Sequence, residues 1–243
     1  MSVFNKINND GVNCAVWLDA VPEDVIAYFD SLNLEEIQPM IDATKAFIFT
    51  KRQQKAKGSS RIGIFKKTTF GDSFNERALE KLPVKPGVTE AKKFLTELSQ
   101  QISEAIPEGY KAYDVELRFN MSQGPAFHID AIDYRFFVTL SSPEDGVENS
   151  TYILPNSVAQ DEIAEINKNA VLKIKYQNLK FENMKDQAIP TGHGNVMMMV
   201  GRQSGGNGST KQTLETYPLF HSSPNIPYRK GKRLRTSLVI TVQ

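Results

Sequence analysis

Apolar and polar positions change period along this chain, from helical spacing in the first hundred residues to alternation in the rest. After Pro22-Glu23-Asp24, a proline and two acids suited to a first helical turn, Val25, Ile26, Phe29 and Leu32 recur at helical intervals and predict a short amphipathic helix. Asn33 with Glu36 three positions later offers a second start, and Ile37, Met40, Ile41 and Thr44 continue a face that Pro39 distorts. Positions 61–67 alternate as a strand. The clearest helix runs from 89 to 106, with Phe94, Leu95, Leu98, Ile102 and Ile106 on one stripe and Lys92, Lys93, Glu97 and Gln101 mostly off it. Its apolar side is expected to pack on the outside of the β-structure that follows.

From Tyr113 onward the pattern is that of strands. Val115, Leu117, Phe119 and Met121 fall on one face of 114–121, with Glu116, Arg118 and Asn120 on the other. An alternating strand usually turns its polar face to solvent. If that face instead lines the mouth of a barrel, Arg118 and Asn120 become candidate substrate or cosubstrate contacts. Further strands are expected at 136–140, 151–154, 171–176, 196–200 and 234–242, with an apolar strand at Cys14 to Trp17 and a helix at 158–167 started by Ser157. These elements predict an α+β chain of one domain over 1–243. Residues 1–110 form a helical and strand support, and 111–243 form a β-barrel core.

Composition narrows the class. At 243 residues, 40% hydrophobic and 23% charged, the chain can bury one large core. Twenty-nine basic against 28 acidic side chains leave a net charge of +1, which supports neither a nucleic-acid surface nor an anionic-membrane surface. Cys14 is the single cysteine, so no intrachain disulfide forms. No apolar run approaches a membrane span and the first ten residues lack a signal-peptide core, so a cytoplasmic location is expected.

Two of the three histidines are placed for chemistry. In Phe127-His128-Ile129-Asp130 a histidine and a carboxylate stand two apart, and residues two apart on a strand share a face, so one strand can offer both to one metal. A closed antiparallel barrel can lay a distant strand beside them and return His221, in Leu219-Phe220-His221-Ser222-Ser223-Pro224, as the third ligand. Two imidazoles and one carboxylate on one face of an octahedron suit non-haem iron(II). They leave three positions, enough for a chelating 2-oxo acid and dioxygen. Arg235-Thr236-Ser237 then opens the last apolar run. A guanidinium meets the far carboxylate of 2-oxoglutarate with two parallel hydrogen bonds, and Ser237, on the same face, adds a donor. His193 is the alternative third ligand; it stands between Gly192 and Gly194 in a turn-like context.

His128-x-Asp130, His221 and Arg235-x-Ser237, with the Gly194 to Met199 strand before the second histidine, resemble the core of the iron(II)/2-oxoglutarate-dependent oxygenases over roughly residues 110 to 243. Phe127-His128-x-Asp130, His221-x-Ser223-Pro224 and Gly11-Val12-Asn13-Cys14-Ala15-Val16-Trp17 also resemble a bacterial family known only as a domain of unknown function. The first resemblance implies a double-stranded β-helix, a jelly-roll or cupin-like barrel with flanking N-terminal helices. It also implies iron(II) at His128, Asp130 and His221, and 2-oxoglutarate at Arg235 and Ser237. The implied reaction is oxidative decarboxylation of the cosubstrate by dioxygen with hydroxylation of a C–H bond. The interval from Asp130 to His221 is longer than the superfamily often shows; the resemblance still prefers His221 to His193, because Arg235 follows it at the remove usual there. A small polar substrate such as an amino acid or derivative is favoured by the polar residues near the proposed mouth and the near-neutral charge. The rival readings are a cupin-type oxygenase or isomerase that uses no 2-oxoglutarate and a barrel that binds without catalysis.

Two further segments carry weaker signals. Gly201 to Thr210 is glycine-rich but lacks the phosphate-loop spacing, and is read as a lid or a plain loop. In the basic run Arg229, Lys230, Lys232, Arg233 and Arg235, strand alternation sends Arg235 inward and leaves Arg229 and Lys230 in solvent. Cys14, beside the apolar Ala15-Val16-Trp17, reads as a buried strand residue rather than a nucleophile.

Overall fold

The structure, a computed structural model, describes residues 13–33, 35–39, 59–63, 79–105, 113–120, 127–130, 132–144, 147–160, 181–201, 218–223 and 235–242. Its strands are β1 (Cys14–Trp17), β2 (Ser59–Gly63), β3 (Tyr113–Asn120), β4 (Tyr134–Thr139), β5 (Tyr152–Leu154), β6 (Ile189–Pro190), β7 (Val196–Val200), β8 (Phe220–Ser222) and β9 (Arg235–Val242). The helices are α1 (Glu23–Asp30), α2 (Val88–Ala105) and the short α3 (Phe181–Met184), which runs into a 3-10 turn at Lys185–Gln187. Among the described residues all the strand pairings are antiparallel, with helices inserted between strands, an α+β arrangement.

Helix α1 forms where the pattern expects it. Glu23 and Asp24 place negative charge against the unpaired amides of the first turn, and Asp24 Oδ1 accepts from the Val25 amide at 2.9 Å. The Asn33/Glu36 signal closes as a reciprocal cap. The Glu36 amide donates to Asn33 Oδ1 and the Asn33 amide to Glu36 Oε2, both at 3.0 Å. Lys85 then ties this second helical start, at 35–39, to the segment before α2 through a 2.7 Å ion pair with Glu36.

The larger sheet has six strands in the order β1-β7-β4-β9-β3-β2 and the smaller has three in the order β6-β5-β8. One face of the larger sheet presents Val115, Leu117, Phe119, Phe136, Val138, Met198, Leu238 and Ile240, which form one core with Val25, Phe29, Ala91 and Leu95 of the helices. Each such large apolar side chain contributes about 1.5–3 kcal/mol by leaving water. The opposite face presents Phe137, Met197, Met199 and Val239, which pack with Leu219 and Ile153 from the side of the smaller sheet. The smaller sheet's other face covers Phe127, Leu154 and Phe220. The space between the two sheets is therefore apolar at one end and reached by side chains of β3, β4, β7, β8 and β9.

Strand alternation in β3 is as expected, but its polar face does not look outward. Arg118 stands opposite Ser237 in the β3–β9 register, and Glu116 opposite Val239. Directly paired residues leave the same side of a sheet, so Glu116 and Arg118 point into the inter-sheet space. The helices already cover the Val115 face, so the usual solvent-facing assignment is overturned here. Elsewhere the expected 136–140 strand starts earlier, at Tyr134, and includes Arg135. The turn before the expected 158–167 helix begins at Pro155, whose carbonyl accepts from Val158 and Ala159. Strand β6 and helix α3 have no counterpart in the sequence reading, and β8 is the distant strand expected to return His221. The 171–176 strand, the 202–210 part of the glycine-rich run and residues 229–234 of the basic run lie outside the described residues.

Gly201 marks a close approach of chains. A Cβ there would stand 2.4 Å from the Ile132 carbonyl oxygen and 2.5 Å from Ile132 Cγ1, while the Gly201 amide donates to Asp133 O at 2.8 Å. Gly201→Ala is expected to destabilise the fold by about 1–3 kcal/mol, read from urea unfolding.

Candidate metal centre

The site begins with a backbone contact. The amides of His128 and His221 each donate to the other's carbonyl, both at 3.0 Å, an isolated antiparallel bridge. Residues that exchange both bonds lie directly opposite, with side chains leaving one face, and the two imidazole centroids stand 4.4 Å apart. His221, on β8, is buried beside the Phe137 ring, whose centroid lies 5.4 Å from its own, while His128 is exposed. Leu219 O lies 3.5 Å from His221 Nδ1, so the nitrogen turned to the site is Nε2.

Asp130 closes the group. Its Oδ2 lies 3.2 Å from His221 Nε2 and its Oδ1 3.7 Å from His128 Nε2. One ligand atom from each of the three residues can be chosen so that all lie within 4.8 Å of one another. Ligands about 2.1 Å from an octahedral ion stand about 3 Å apart when adjacent, so the present spacing needs only small side-chain rotations to hold a divalent cation. The donor set of two neutral nitrogens and one anionic oxygen fits iron(II). His128 and Asp130 do not share a strand as the sequence pattern proposes. The bridge stops at His128, and Ile129 and Asp130 continue without strand pairing. Asp130 is turned into the site by side-chain partners instead.

The chief partner is Arg135 on β4, whose Nη1 donates to Asp130 Oδ2. Arg135 is itself held by Nε donating to Thr241 Oγ1 at 3.2 Å. Burial would raise the Asp130 carboxyl, but the His221 hydrogen bond and the neighbouring charges of His221, Arg135 and His128 outweigh it and hold the group well below the ordinary carboxylate range. Asp130 is thus an anion throughout the neutral range, as a metal ligand must be.

A second group lies at the start of β9. Arg235 is buried; its Nε donates to the Asn149 carbonyl, its Nη2 to Thr151 Oγ1 at 3.2 Å and its Nη1 to Ser223 Oγ at 3.5 Å. No carboxylate among the described residues forms a salt bridge with it. Burial first, and the like charge of Arg118 second, push its pKa down to about 10 against the opposing pull of Glu148, so the guanidinium keeps its charge at neutral pH. Ser237 is buried, opposite Arg118 on one side and Thr139 on the other. Arg118 is engaged by Glu116, with Nη2 at 2.6 Å and Nε at 2.9 Å from Oε2. Asn120 pairs through its backbone with Arg235, and its side chain lies outside the described part. Arg235 and Val239 are four residues apart on one face of β9, about 13 Å along the strand, and Val239 pairs with Phe137, which touches His221. The buried cation and the three-residue group thus share the inter-sheet space at separate points.

His193 is exposed in a turn between Gly192 and Gly194, whose φ values are +78° and +73°. It does not belong to the three-residue group. Cys14 lies in β1 opposite Met199, and burial pushes its thiol up to about 12. Cys14 is thus in a strand as expected but only half-buried, and iodoacetamide at pH 8 is expected to label it more slowly in the folded protein than in denaturant; equal rates would contradict the raised thiol.

Sequence reasoning passed over Arg135, Asn149, Thr151 and Ser223. Arg135 had a usable signal, a lone charge in Tyr134 to Thr139, five positions after Asp130. Asn149 and Thr151 contribute a backbone carbonyl and a hydroxyl from ordinary polar sequence, which carries none.

No protein family and no curated protein matches the chain. Among solved structures, a prolyl-4-hydroxylase from Pseudomonas putida is similar at 8% identity and a TM-score of 0.41, covering 98% of this chain and 96% of its own. HygX from Streptomyces hygroscopicus, with nickel and 2-oxoglutarate bound, is similar at 8% identity and 0.40, covering 99% and 87%. EctD from S. alaskensis, in its apoform, is similar at 11% identity and 0.43, covering 100% and 76%. Likeness of this degree leaves the chemistry to the chain's own residues. Among the described residues no helix is long and apolar enough to cross a membrane.

Proposed function

We propose that this chain is a non-haem iron(II)- and 2-oxoglutarate-dependent dioxygenase that hydroxylates a C–H bond of a small polar molecule, such as an amino acid or derivative. The observation that carries the reading is the convergence of His128, Asp130 and His221 in the same inter-sheet space as a buried Arg235 that forms no salt bridge among the described residues. In this reading the two antiparallel sheets form a double-stranded β-helix within a single domain, 1–243, with residues 1–110 as support and 111–243 as the metal-bearing barrel.

His128, Asp130 and His221 hold the metal, with Asp130 supplying the negative charge. Iron(II) on these ligands would provide open positions at which a 2-oxo acid and dioxygen meet, coupling loss of carbon dioxide to oxidation of a C–H bond. Arg235 receives the far carboxylate of 2-oxoglutarate through its guanidinium fork, and Ser237 adds a hydroxyl donor. Charge balance supports a dianionic cosubstrate. Within the inter-sheet space Asp130 answers Arg135, Glu116 answers Arg118 and the charge of Glu148 acts on Arg235, so a divalent metal would add positive charge that the described side chains leave unmatched. Arg118 and Asn120, at the Arg235 end of β3, are the residues assigned to substrate contact. Phe137, Met197, Met199 and Val239 keep water from the buried side of the site.

Anaerobic equilibrium dialysis against iron(II) tests the ligand set. One iron per chain is expected for the wild type and for His193→Ala, and none for His128→Ala or His221→Ala. Iron retained by His221→Ala but lost by His193→Ala would move the third ligand to His193.

A further inference from the structure

The carboxylate of Asp130 has two oxygens, and the protein gives them different surroundings. Oδ2 lies 3.2 Å from His221 Nε2 and also accepts from Arg135 Nη1, a guanidinium that reaches it from β4 and is anchored on Thr241 Oγ1 of β9 at 3.2 Å. Both side chains of this ion pair are 15% exposed, so the contact is largely shielded from solvent. Oδ1 faces the exposed His128, 3.7 Å from its Nε2. Arg135 sits on β4, which with β9 forms the centre of the larger sheet through the pairs Arg135–Thr241, Phe137–Val239 and Thr139–Ser237. A cation placed this way has its base on a strand paired on both sides, whereas Ile129 and Asp130 have no strand pairing of their own.

From this geometry we propose that Arg135 is a positioning residue for the metal site: it holds one oxygen of Asp130 and leaves the carboxylate a single oxygen for the metal. The inference rests on the metal-binding reading above. A carboxylate that ligates through one oxygen occupies one coordination position; released from Arg135 it can rotate and chelate through both, closing a position that an incoming ligand needs. Arg135 also lowers the cost of orienting Asp130, because the segment from Ile129 onward has no ladder to fix it. Arg135 itself touches neither metal nor substrate.

Cobalt(II) is a suitable probe, since it occupies such sites without turnover and its visible bands report coordination number. The metal-free wild type, Arg135→Met, Arg135→Lys and His128→Ala would each be titrated anaerobically with cobalt(II), and their thermal unfolding recorded without metal. The expected result is a 10- to 100-fold weaker cobalt affinity in Arg135→Met, a changed visible spectrum at saturation, and partial recovery of both in Arg135→Lys. A purely structural role would lower the unfolding temperature and leave affinity and spectrum of the folded fraction unchanged. Wild-type affinity and spectrum in Arg135→Met, with His128→Ala still failing to bind, would overturn the role of Arg135 alone. Equal failure of wild type and His128→Ala to bind cobalt would overturn the metal site and Arg135's role with it. If Arg135→Met does not fold, Arg135→Gln, shorter and uncharged, decides: wild-type affinity and spectrum would overturn the proposal, and altered values in the folded protein would support it.

Discussion

Asp130→Ala is expected to weaken iron(II) binding by more than about a hundredfold. Loss of an outer partner of a metal ligand commonly costs 10–100-fold, and here an anionic ligand itself is removed. The effect is compounded by Arg135. Its guanidinium, partnered in the wild type by Asp130 Oδ2, would be left beside the empty ligand position and would oppose a divalent cation. Asp130→Asn should behave similarly, because an amide keeps the shape but supplies no charge. Anaerobic calorimetric titration gives the affinity directly, and a change of less than threefold in either variant would remove Asp130 from the ligand set.

Arg235→Lys is expected to raise the dissociation constant for 2-oxoglutarate about 10- to 100-fold while leaving iron affinity within twofold. The guanidinium is buried and still charged, and it can offer a carboxylate two parallel donors. Lysine supplies the charge from a single point and loses one bond of the fork. A hydrogen bond to a charged group contributes about 1.5–3 kcal/mol, which is the factor stated. Separate titrations with iron(II) and then 2-oxoglutarate distinguish the two affinities. Unchanged cosubstrate affinity would show that Arg235 serves Asn149, Thr151 and Ser223 as a structural tie and nothing more.

What was legible in the sequence was local. The stripe of α2, the alternation of β3, the apolar β7 and β9 and the Asn33/Glu36 cap are each set by residues within a few positions of one another, and these elements appear close to their expected bounds. Which face of β3 turns inward was not local. It depends on α1 and α2 covering Val115, Leu117 and Phe119, a long-range choice that leaves Glu116 and Arg118 between the sheets. The period-two argument brought His128 and Asp130 to one site for an incomplete reason. The strand ends at the first residue, and the second is drawn in by Arg135, whose single positive charge within a buried strand was the available clue. The return of His221 to His128 rests on a backbone bridge between segments distant in sequence, and no pattern in either segment specifies that register.

The most direct test of the account is an anaerobic titration of the purified protein, first with iron(II) and then with 2-oxoglutarate, followed in the visible range. The account predicts a weak metal-to-ligand charge-transfer band that appears on adding the 2-oxo acid to the iron-loaded wild type and is absent from His128→Ala. No band in a wild type that holds iron would contradict the 2-oxoglutarate assignment, and failure to hold iron at all would contradict the metal centre itself.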